Sequence, residues 1–430
     1  MTSDFGATEC FVYMMLPGAT EFITAGRFVM EPGRVGMPVG RFVYGKSYLN
    51  NPHAVPIDPI DLNLTDTTFQ TTMLKGVFGA LRDAGPDHWG RSVIERHAGL
   101  AVLGEIDYLL HAPDDRAGAL GFGLGPEPPA PQRKFNKRLD LEMLIGLADA
   151  VIAKEEVPSS PEAVQIRDLL LVGTSIGGAR PKAVVEDADG LWIAKFNRPD
   201  DKWNCARTEH AMLELARSCG IQAAQSRIVM AAGRDVLLVK RFDRDKTDGG
   251  YLRTHMMSAL TILRTEDTHQ CRERWSYVLL AEELRRISRQ PKHDALELFR
   301  RMAFNALISN TDDHPRNHAA IACERGWRLA PAYDLTPSTP ISQERRDLAM
   351  ACGDAGRYAN AENMLTQAAR FHLHPDAAAA IIDEMEAQVK ASWYGTARRE
   401  GLPERDCELI SSAFAYPGFR LSLRDAGRVV

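Results

Sequence analysis

The chain has 430 residues, of which 45% are hydrophobic and 25% charged, a composition typical of globular proteins with two or three domains. Its net charge of −5 and its pI near 6.2 argue against a protein that binds nucleic acid on its own. Because the N-terminus carries Asp4 and Glu9 and apolar runs are shorter than about 18 residues, we expect neither a signal peptide nor a spanning helix. The seven scattered cysteines, never spaced Cys-x-x-Cys, indicate reduced thiols, argue against zinc and favour a cytoplasmic location.

Residues 1–130 are predicted to form a separate α+β subdomain. Runs rich in aromatic and β-branched residues at 10–16 and 40–45 predict strands, and residues 89–99 predict a helix. The proline-rich segment 125–131 fits neither a helix nor a central strand, so it is predicted to connect this subdomain to the rest of the chain.

A candidate phosphate-binding loop lies in the next region, residues 132–265, which is predicted to begin with two helical segments and to continue with strands. Adjacent glycines within residues 173–182 let backbone amides approach phosphate oxygens, although the loop has neither a Walker A nor a GxGxxG pattern. Two short strands at 183–185 and 191–196 follow, joined by a turn. Strand alternation places Lys195 on the same face as Leu191 and Ile193, as a phosphate-binding lysine would require.

The remainder of this region supplies a helix and a hinge strand. The helix predicted over residues 208–219 carries Glu209 and Glu214, either of which could pair with Lys195, although both could instead be surface residues. An apolar strand at 236–239 leads to Lys240 and Phe242, whose backbone groups are candidates to meet adenine. Phe242 could alternatively pack in the core.

The strongest functional signal lies in the predominantly helical region 266–430. An amphipathic helix is predicted to end near Asn310 and to deliver a loop with Asp312 and Asn317, before a hairpin whose exit carries Asp334. The order Asp-x4-Asn followed by Asp suits protein-kinase chemistry: Asp312 accepts the proton of the attacking hydroxyl, whereas Asn317 and Asp334 hold magnesium on ATP.

Other interpretations of the same loop are weaker. Asp313 is the lesser base candidate, because the Asp-x4-Asn spacing selects Asp312. A zinc site built from Asp312, Asp313, His314 and His318 lacks the separated His-x-x-x-His geometry of zinc hydrolases. The basic run 285–293 could touch DNA phosphates, but a solvated helix end is the commoner explanation of such a run.

Taken in order, these motifs resemble the HipA family of serine/threonine kinases, the toxins of bacterial toxin–antitoxin pairs. The Gly-Gly-Ala-Arg-Pro-Lys and Asp-x-His-x-x-Asn elements are the most specific, and 89–91 and 116–121 also resemble family features. The main elements lie at 174–182, 195–196, 239–244, 310–317 and 332–335.

The resemblance implies an α+β fold of the two-lobed protein-kinase type, with a helical C-lobe and an added N-terminal α+β subdomain. Its predicted parts are the N-terminal subdomain 1–130, the nucleotide-binding region 132–265 and the helical region 266–430. The implied ATP-binding residues include His314 and Tyr333; the full predicted set is Ser175, Ile176, Gly177, Gly178, Ala179, Lys195, Lys240, Phe242, His314, Asn317, Tyr333 and Asp334.

The resemblance also implies partners and regulation. Family members phosphorylate aminoacyl-tRNA synthetases, are neutralised by a helix-turn-helix, HipB-like antitoxin that carries them to operator DNA, and autophosphorylate a loop serine at the position of Ser175. We therefore predict an ATP- and Mg²⁺-dependent serine/threonine protein kinase that acts as a toxin. The alternatives are a catalytically silent corepressor and a small-molecule phosphotransferase.

Overall fold

The computed structural model describes residues 6–33, 36–99, 103–132, 135–137, 141–152, 180–324, 326–339 and 342–426. The chain divides into two units, one comprising Met1–Pro199 with Met230–Met257, the other Asp200–Val229 with Ser258–Val430. The first unit therefore includes both the N-terminal subdomain and much of the nucleotide-binding region expected from the sequence. The three-part division at 130 and 265 remains a prediction.

The first unit begins with an antiparallel five-stranded sheet of order β4-β3-β2-β1-β5. Alternating apolar residues bury one face of the sheet, with Phe28 and Phe42 fully enclosed. The strands are β1 (Glu9–Met15), β2 (Phe22–Glu31), β3 (Val39–Tyr44), β4 (Phe69–Thr71) and β5 (Leu120–Gly123).

Short helices accompany this sheet. Leu81, Ile106 and Leu109 join the apolar core of the sheet, so burial of these side chains holds the helices in place. The helices are α1 (Lys46–Leu49), α2 (Gly79–Asp83), α3 (His88–Ala98) and α4 (Glu105–His111). The predicted connector 125–131 is neither helix nor strand.

A second sheet of the first unit contains neighbouring strands in the order β6-β7-β8-β10. The β7–β8 turn is closed by Gly190 at φ +116°, a conformation that glycine adopts without strain. Helix α5 spans Leu141–Ile152, and the chain re-enters this unit within β9 (Ser226–Ala231). The other strands of this sheet are β6 (Asn136–Lys137), β7 (Lys182–Asp187), β8 (Gly190–Phe196) and β10 (Arg234–Lys240). A separate two-stranded sheet is formed by β11 (Arg244–Thr247) and β12 (Gly250–Arg253), and β13 (Met256–Ser258) follows them in the chain.

The second unit is mainly helical. The buried helix α9 packs against α8 and α11, and the antiparallel hairpin of β14 (Ala319–Cys323) and β15 (Gly326–Leu329) follows the candidate catalytic loop. The helices are α6 (Cys205–Ser218), α7 (Ala259–Ile262), α8 (Tyr277–Ile287), α9 (Pro291–Leu307), α10 (Ala361–Thr366), α11 (Pro375–Arg399), α12 (Glu404–Ile410) and α13 (Leu423–Ala426). Among the described residues, no helix combines the length and apolar character that crossing a membrane requires.

Candidate active site

The candidate catalytic loop starts where the buried helix α9 ends. Phe299, Met302 and Leu307 are fully enclosed, which fixes the helix axis. Ser309 then adopts a left-handed conformation at φ 54°, which ordinarily carries a strain cost for a non-glycine residue. Its hydroxyl donates to the Ala413 carbonyl at 2.5 Å and accepts from Arg346 at 2.6 Å, and these contacts hold the sharp exit from the helix.

Asp313 anchors this loop through buried hydrogen bonds. Its Oδ2 atom accepts hydrogen bonds from Asn305 Nδ2 at 2.8 Å, from His318 Nε2 at 2.8 Å and from the Tyr277 hydroxyl. The carboxylate is buried, with only 1% of Asp313 exposed, and its donors come from α8, α9 and the residue that precedes β14. Asp313 is therefore a structural anchor, which agrees with the sequence-based preference for Asp312 as the base.

Asp312, the neighbouring residue, is exposed. Partial desolvation of its carboxyl raises the pKa of Asp312; His314 and Arg272 act to lower this pKa, whereas Asp334 and Asp267 act to raise it. A raised carboxyl pKa makes the carboxylate a stronger proton acceptor. The structure therefore presents one accessible acid beside one immobilised acid, with Asp334 close enough to influence the first electrostatically.

Asn317 and Asp334 supply the oxygen atoms expected of a magnesium site. Asn317 lies in a short 3-10 turn, where its Nδ2 donates to the Asp312 carbonyl at 3.3 Å. Asp334 has a left-handed backbone at φ 58° and follows Ala332, which exchanges backbone hydrogen bonds with Gln222 and Ala224. Amide and carboxylate oxygens are hard ligands that fit Mg²⁺, and the Asp334 carboxylate acts electrostatically on that of Asp312. These two side chains could therefore hold the metal.

His314 and Tyr333 complete the predicted set in the second unit. Tyr333 donates its hydroxyl to the Arg316 carbonyl at 2.8 Å, which ties the segment before Asp334 to the catalytic loop. The His314 ring lies 6.4 Å from that of Trp275, and its buried Nδ1 has no hydrogen-bond partner among the described residues. Contact of either residue with a nucleotide remains a prediction.

The first unit carries the predicted phosphate-binding lysine. Lys195 is partly buried on β8, opposite Lys182 on one side and Leu237 on the other. Lys240 is the last residue of β10, and Phe242 follows in a turn. The predicted loop residues Ser175, Ile176, Gly177, Gly178 and Ala179 lie outside the described residues.

The two candidate glutamates on helix α6 differ in their exposure to solvent. Glu209 is buried, with 4% of the residue exposed, so the alternative prediction of a surface position is wrong for Glu209. Glu214 is partly exposed and forms an ion pair with Arg217 on the same helix.

Sequence reasoning missed the buried residues that hold the site. Asn305 lies between Met302, Ala303 and Ala306 on the buried face of α9, and an amide in an apolar stripe is a signal for a buried hydrogen-bond network. Tyr277 and His318 gave no comparable signal, because an aromatic ring and an imidazole are common in protein cores.

Comparison with known proteins agrees with the motifs. Residues 174–393, just over half of the chain, match the family of HipA-like C-terminal domains. "Putative kinase Y4mE" of Sinorhizobium fredii is 25% identical over 338 residues, covering 73% of this chain and 75% of that protein. A "Putative kinase" of Haemophilus influenzae is 26% identical over 206 residues, covering 44% and 60%.

A solved structure shows the same fold. HipA from Shewanella oneidensis, in a structure of the toxin–antitoxin complex of HipA, HipB and operator DNA, superposes with a TM-score of 0.69 over 94% of both chains, at 17% identity. This likeness confirms the α+β, kinase-like fold predicted from the sequence. Since the family match extends over more than half of its length, this chain belongs to the HipA family.

Proposed function

We propose that this protein is an ATP- and Mg²⁺-dependent serine/threonine protein kinase that acts as the toxin of a toxin–antitoxin module. The observation that carries the proposal is the pair Asp312 and Asp313: the accessible carboxyl has a raised pKa, and its neighbour is immobilised by three donors. Kinase catalysis depends chiefly on positioning and charge neutralisation, and an anchored loop with an accessible acid supplies positioning.

Each predicted residue has a defined chemical task in this mechanism. Asp312 would orient a serine or threonine hydroxyl and accept its proton. Asn317 and Asp334 would hold Mg²⁺, which when bound neutralises charge on the ATP phosphates. Lys195 would pair with those phosphates, and backbone groups near Lys240 and Phe242 would meet adenine.

The proposed partners follow from family membership. The HipA of Shewanella oneidensis is described in complex with HipB and operator DNA, which supports a HipB-like, helix-turn-helix antitoxin for this chain. The net charge of −5 gives the chain little electrostatic attraction to DNA phosphates, so operator binding would depend mainly on the antitoxin. The proposed substrate is an aminoacyl-tRNA synthetase, and Ser175 is the proposed site of inhibitory autophosphorylation.

The decisive experiment compares the wild-type protein with Asp312→Asn. Each is incubated with radiolabelled ATP, Mg²⁺ and a cell lysate, and labelled proteins are identified by mass spectrometry. We expect Asp312→Asn to lose phosphotransfer by a factor on the order of 10² to 10⁴, because a positioned general base has been removed. The same spectra report whether the wild-type protein carries phosphate on Ser175.

Folding of the variant is checked by circular dichroism and thermal unfolding. Wild-type labelling by a folded Asp312→Asn protein would exclude Asp312 as the base. Labelling of small molecules instead of proteins would favour a small-molecule phosphotransferase. A wild-type protein without phosphotransfer that still represses an operator together with its antitoxin would favour the corepressor.

A further inference from the structure

A buried ion pair joins the N-terminal subdomain to the strand that follows the glycine-rich segment. Lys182 Nζ lies 2.7 Å from Asp87 Oδ2, and the two side chains are 2% and 3% exposed. Asp87 also caps the start of α3, because its Oδ1 accepts from the Gly90 amide at 2.7 Å. One carboxylate thus fixes a helix of the N-terminal subdomain and the first residue of β7.

Lys182 occupies a critical place in the second sheet. It lies directly opposite Lys195 in the antiparallel β7–β8 pair, so the two side chains project from the same face. Like charges at directly opposed positions repel, and a buried cation without a partner is strongly unfavourable. Asp87 neutralises Lys182 and so allows a second lysine to occupy the neighbouring position.

The strand on the other side of β8, β10, is also anchored to the N-terminal subdomain. Arg241, the residue after β10, donates to the backbone carbonyls of Asp115 at 2.5 Å and Arg116 at 3.0 Å. It also forms a bidentate pair with Asp243, whose Oδ2 accepts from the Gly118 amide at 2.9 Å. Residues 115–118 belong to the N-terminal subdomain, so both neighbours of β8 are fastened to it.

We propose that Asp87 is a positioning residue for nucleotide binding, and that the N-terminal subdomain thereby forms a working part of the nucleotide site. The carboxylate sets the position and charge of Lys182, and through the β7–β8 ladder it sets the position of Lys195. This inference rests on the proposed function, which assigns Lys195 to the phosphates of ATP.

The test is the variant Asp87→Asn. Asparagine can still accept the hydrogen bond that caps α3, but it has no charge to balance Lys182. We expect the Kd for Mg²⁺-ATP and the KM for ATP to rise about tenfold, while kcat changes less. A tenfold rise corresponds to only part of the free energy that is lost when a buried ion pair is broken. Titration calorimetry and steady-state kinetics measure these constants.

Glu105→Gln is the matched control. Glu105 of α4 forms a bidentate ion pair with Arg91 of α3, the helix that Asp87 caps, at 2.9 and 2.6 Å. We expect this variant to lower thermal stability without changing the Kd for nucleotide. An equal rise in Kd for Glu105→Gln would overturn the inference, because general loosening of the subdomain would then explain the effect.

The double variant Asp87→Asn with Lys182→Met covers the case in which Asp87→Asn does not fold. It removes the link without leaving a buried charge unpaired, so the chain is expected to fold. Weaker nucleotide binding by the folded double variant supports the inference, and wild-type affinity overturns it. If the wild-type protein binds no nucleotide, the proposed function fails; if wild type and variants bind equally well, only this inference fails.

Discussion

Two buried polar clusters, one in each unit, stabilise carboxylates by different means. The loop cluster (Asp313, Tyr277, Asn305, His318) surrounds one carboxylate oxygen with hydroxyl, amide and imidazole donors. The junction cluster (Arg241, Asp243, Arg244, with residues 115–118) places a carboxylate between two guanidinium groups. The loop cluster depends on hydrogen-bond geometry, whereas the junction cluster also depends on charge balance.

This difference suits the two locations. Burial acts to raise the pKa of Asp243, but Arg241, Arg244 and the Gly118 amide outweigh that effect and hold this pKa well below its usual range. Asp243 therefore stays ionised throughout the neutral range, and its contacts fasten two distant segments. Around Asp313 the three donors meet at a single carboxylate oxygen. They restrict rotation of the Asp313 side chain and so fix the loop next to Asp312.

The largest effect is expected from Asp243→Asn, which leaves two buried arginines without their carboxylate partner. We predict a loss of about 3–5 kcal/mol in the free energy of unfolding, measured by urea denaturation. Glu31→Gln is the control, because Glu31 pairs with Arg41 on the surface of the same unit and should contribute under about 1 kcal/mol. If Asp243→Asn loses no more free energy of unfolding than Glu31→Gln, the buried charges of the junction cluster contribute no more stability than a surface ion pair.

A smaller effect of opposite sign is expected from Asp115→Asn. Neither carboxyl oxygen of Asp115 has a hydrogen-bond partner among the described residues, and burial raises its pKa to about 6. Well below the ordinary Asp pKa of 3.8 the carboxyl is protonated in the folded and unfolded states and imposes no penalty. As the pH rises from about 4 to 6, the unfolded chain loses this proton while the folded protein retains it, so Asp115 progressively destabilises the folded state.

We therefore predict that Asp115→Asn stabilises the protein by about 3 kcal/mol above pH 6, since two pK units correspond to about that free energy, and by less than about 1 kcal/mol at pH 4. Urea unfolding of both proteins at pH 4 and pH 7 measures the difference. A gain of the same size at both pH values would refute the assignment of the penalty to the ionised Asp115.

The smallest stability effect is expected from Asp313→Asn. An amide can still accept from Tyr277, but it cannot satisfy both Asn305 and His318, so we predict a loss of about 1–3 kcal/mol and reduced phosphotransfer. The neighbouring change Asp312→Asn should alter the free energy of unfolding by less than about 0.5 kcal/mol, since Asp312 is exposed. Equal stability of the two variants would contradict the anchoring role of Asp313.

The elements around the loop cluster were predictable because their signals are local. Helical spacing on α9 predicts an end near Asn310, close to the observed end at Leu307, and the glycine at 326 predicts the hairpin that follows. Asp312, Asn317 and Asp334 were selected by spacing alone, and the structure confirms the predicted helix, loop and hairpin around them. Their roles in ATP and metal binding stay predictions.

The junction cluster could not be predicted in the same way. The Gly118 amide and the Asp243 carboxylate are separated by 125 residues, and the buried pair of Lys182 and Asp87, outside this cluster, by 95. No local periodicity specifies which arginine meets which acid across such distances, because pairing depends on how the two sheets pack. The stretches 116–121 and 239–244 stood out in the sequence, but their contact became visible only in three dimensions.

The long separation within the junction cluster has a consequence during protein synthesis. The Gly118 segment leaves the ribosome 125 residues ahead of Asp243, an interval of roughly 6–25 s at ordinary elongation rates. During that time the carbonyls of Asp115 and Arg116 lack the guanidinium donors that later cover them. The N-terminal subdomain therefore emerges with two carbonyl groups that lack these donors. The hydrogen bonds can form only after translation has passed β10.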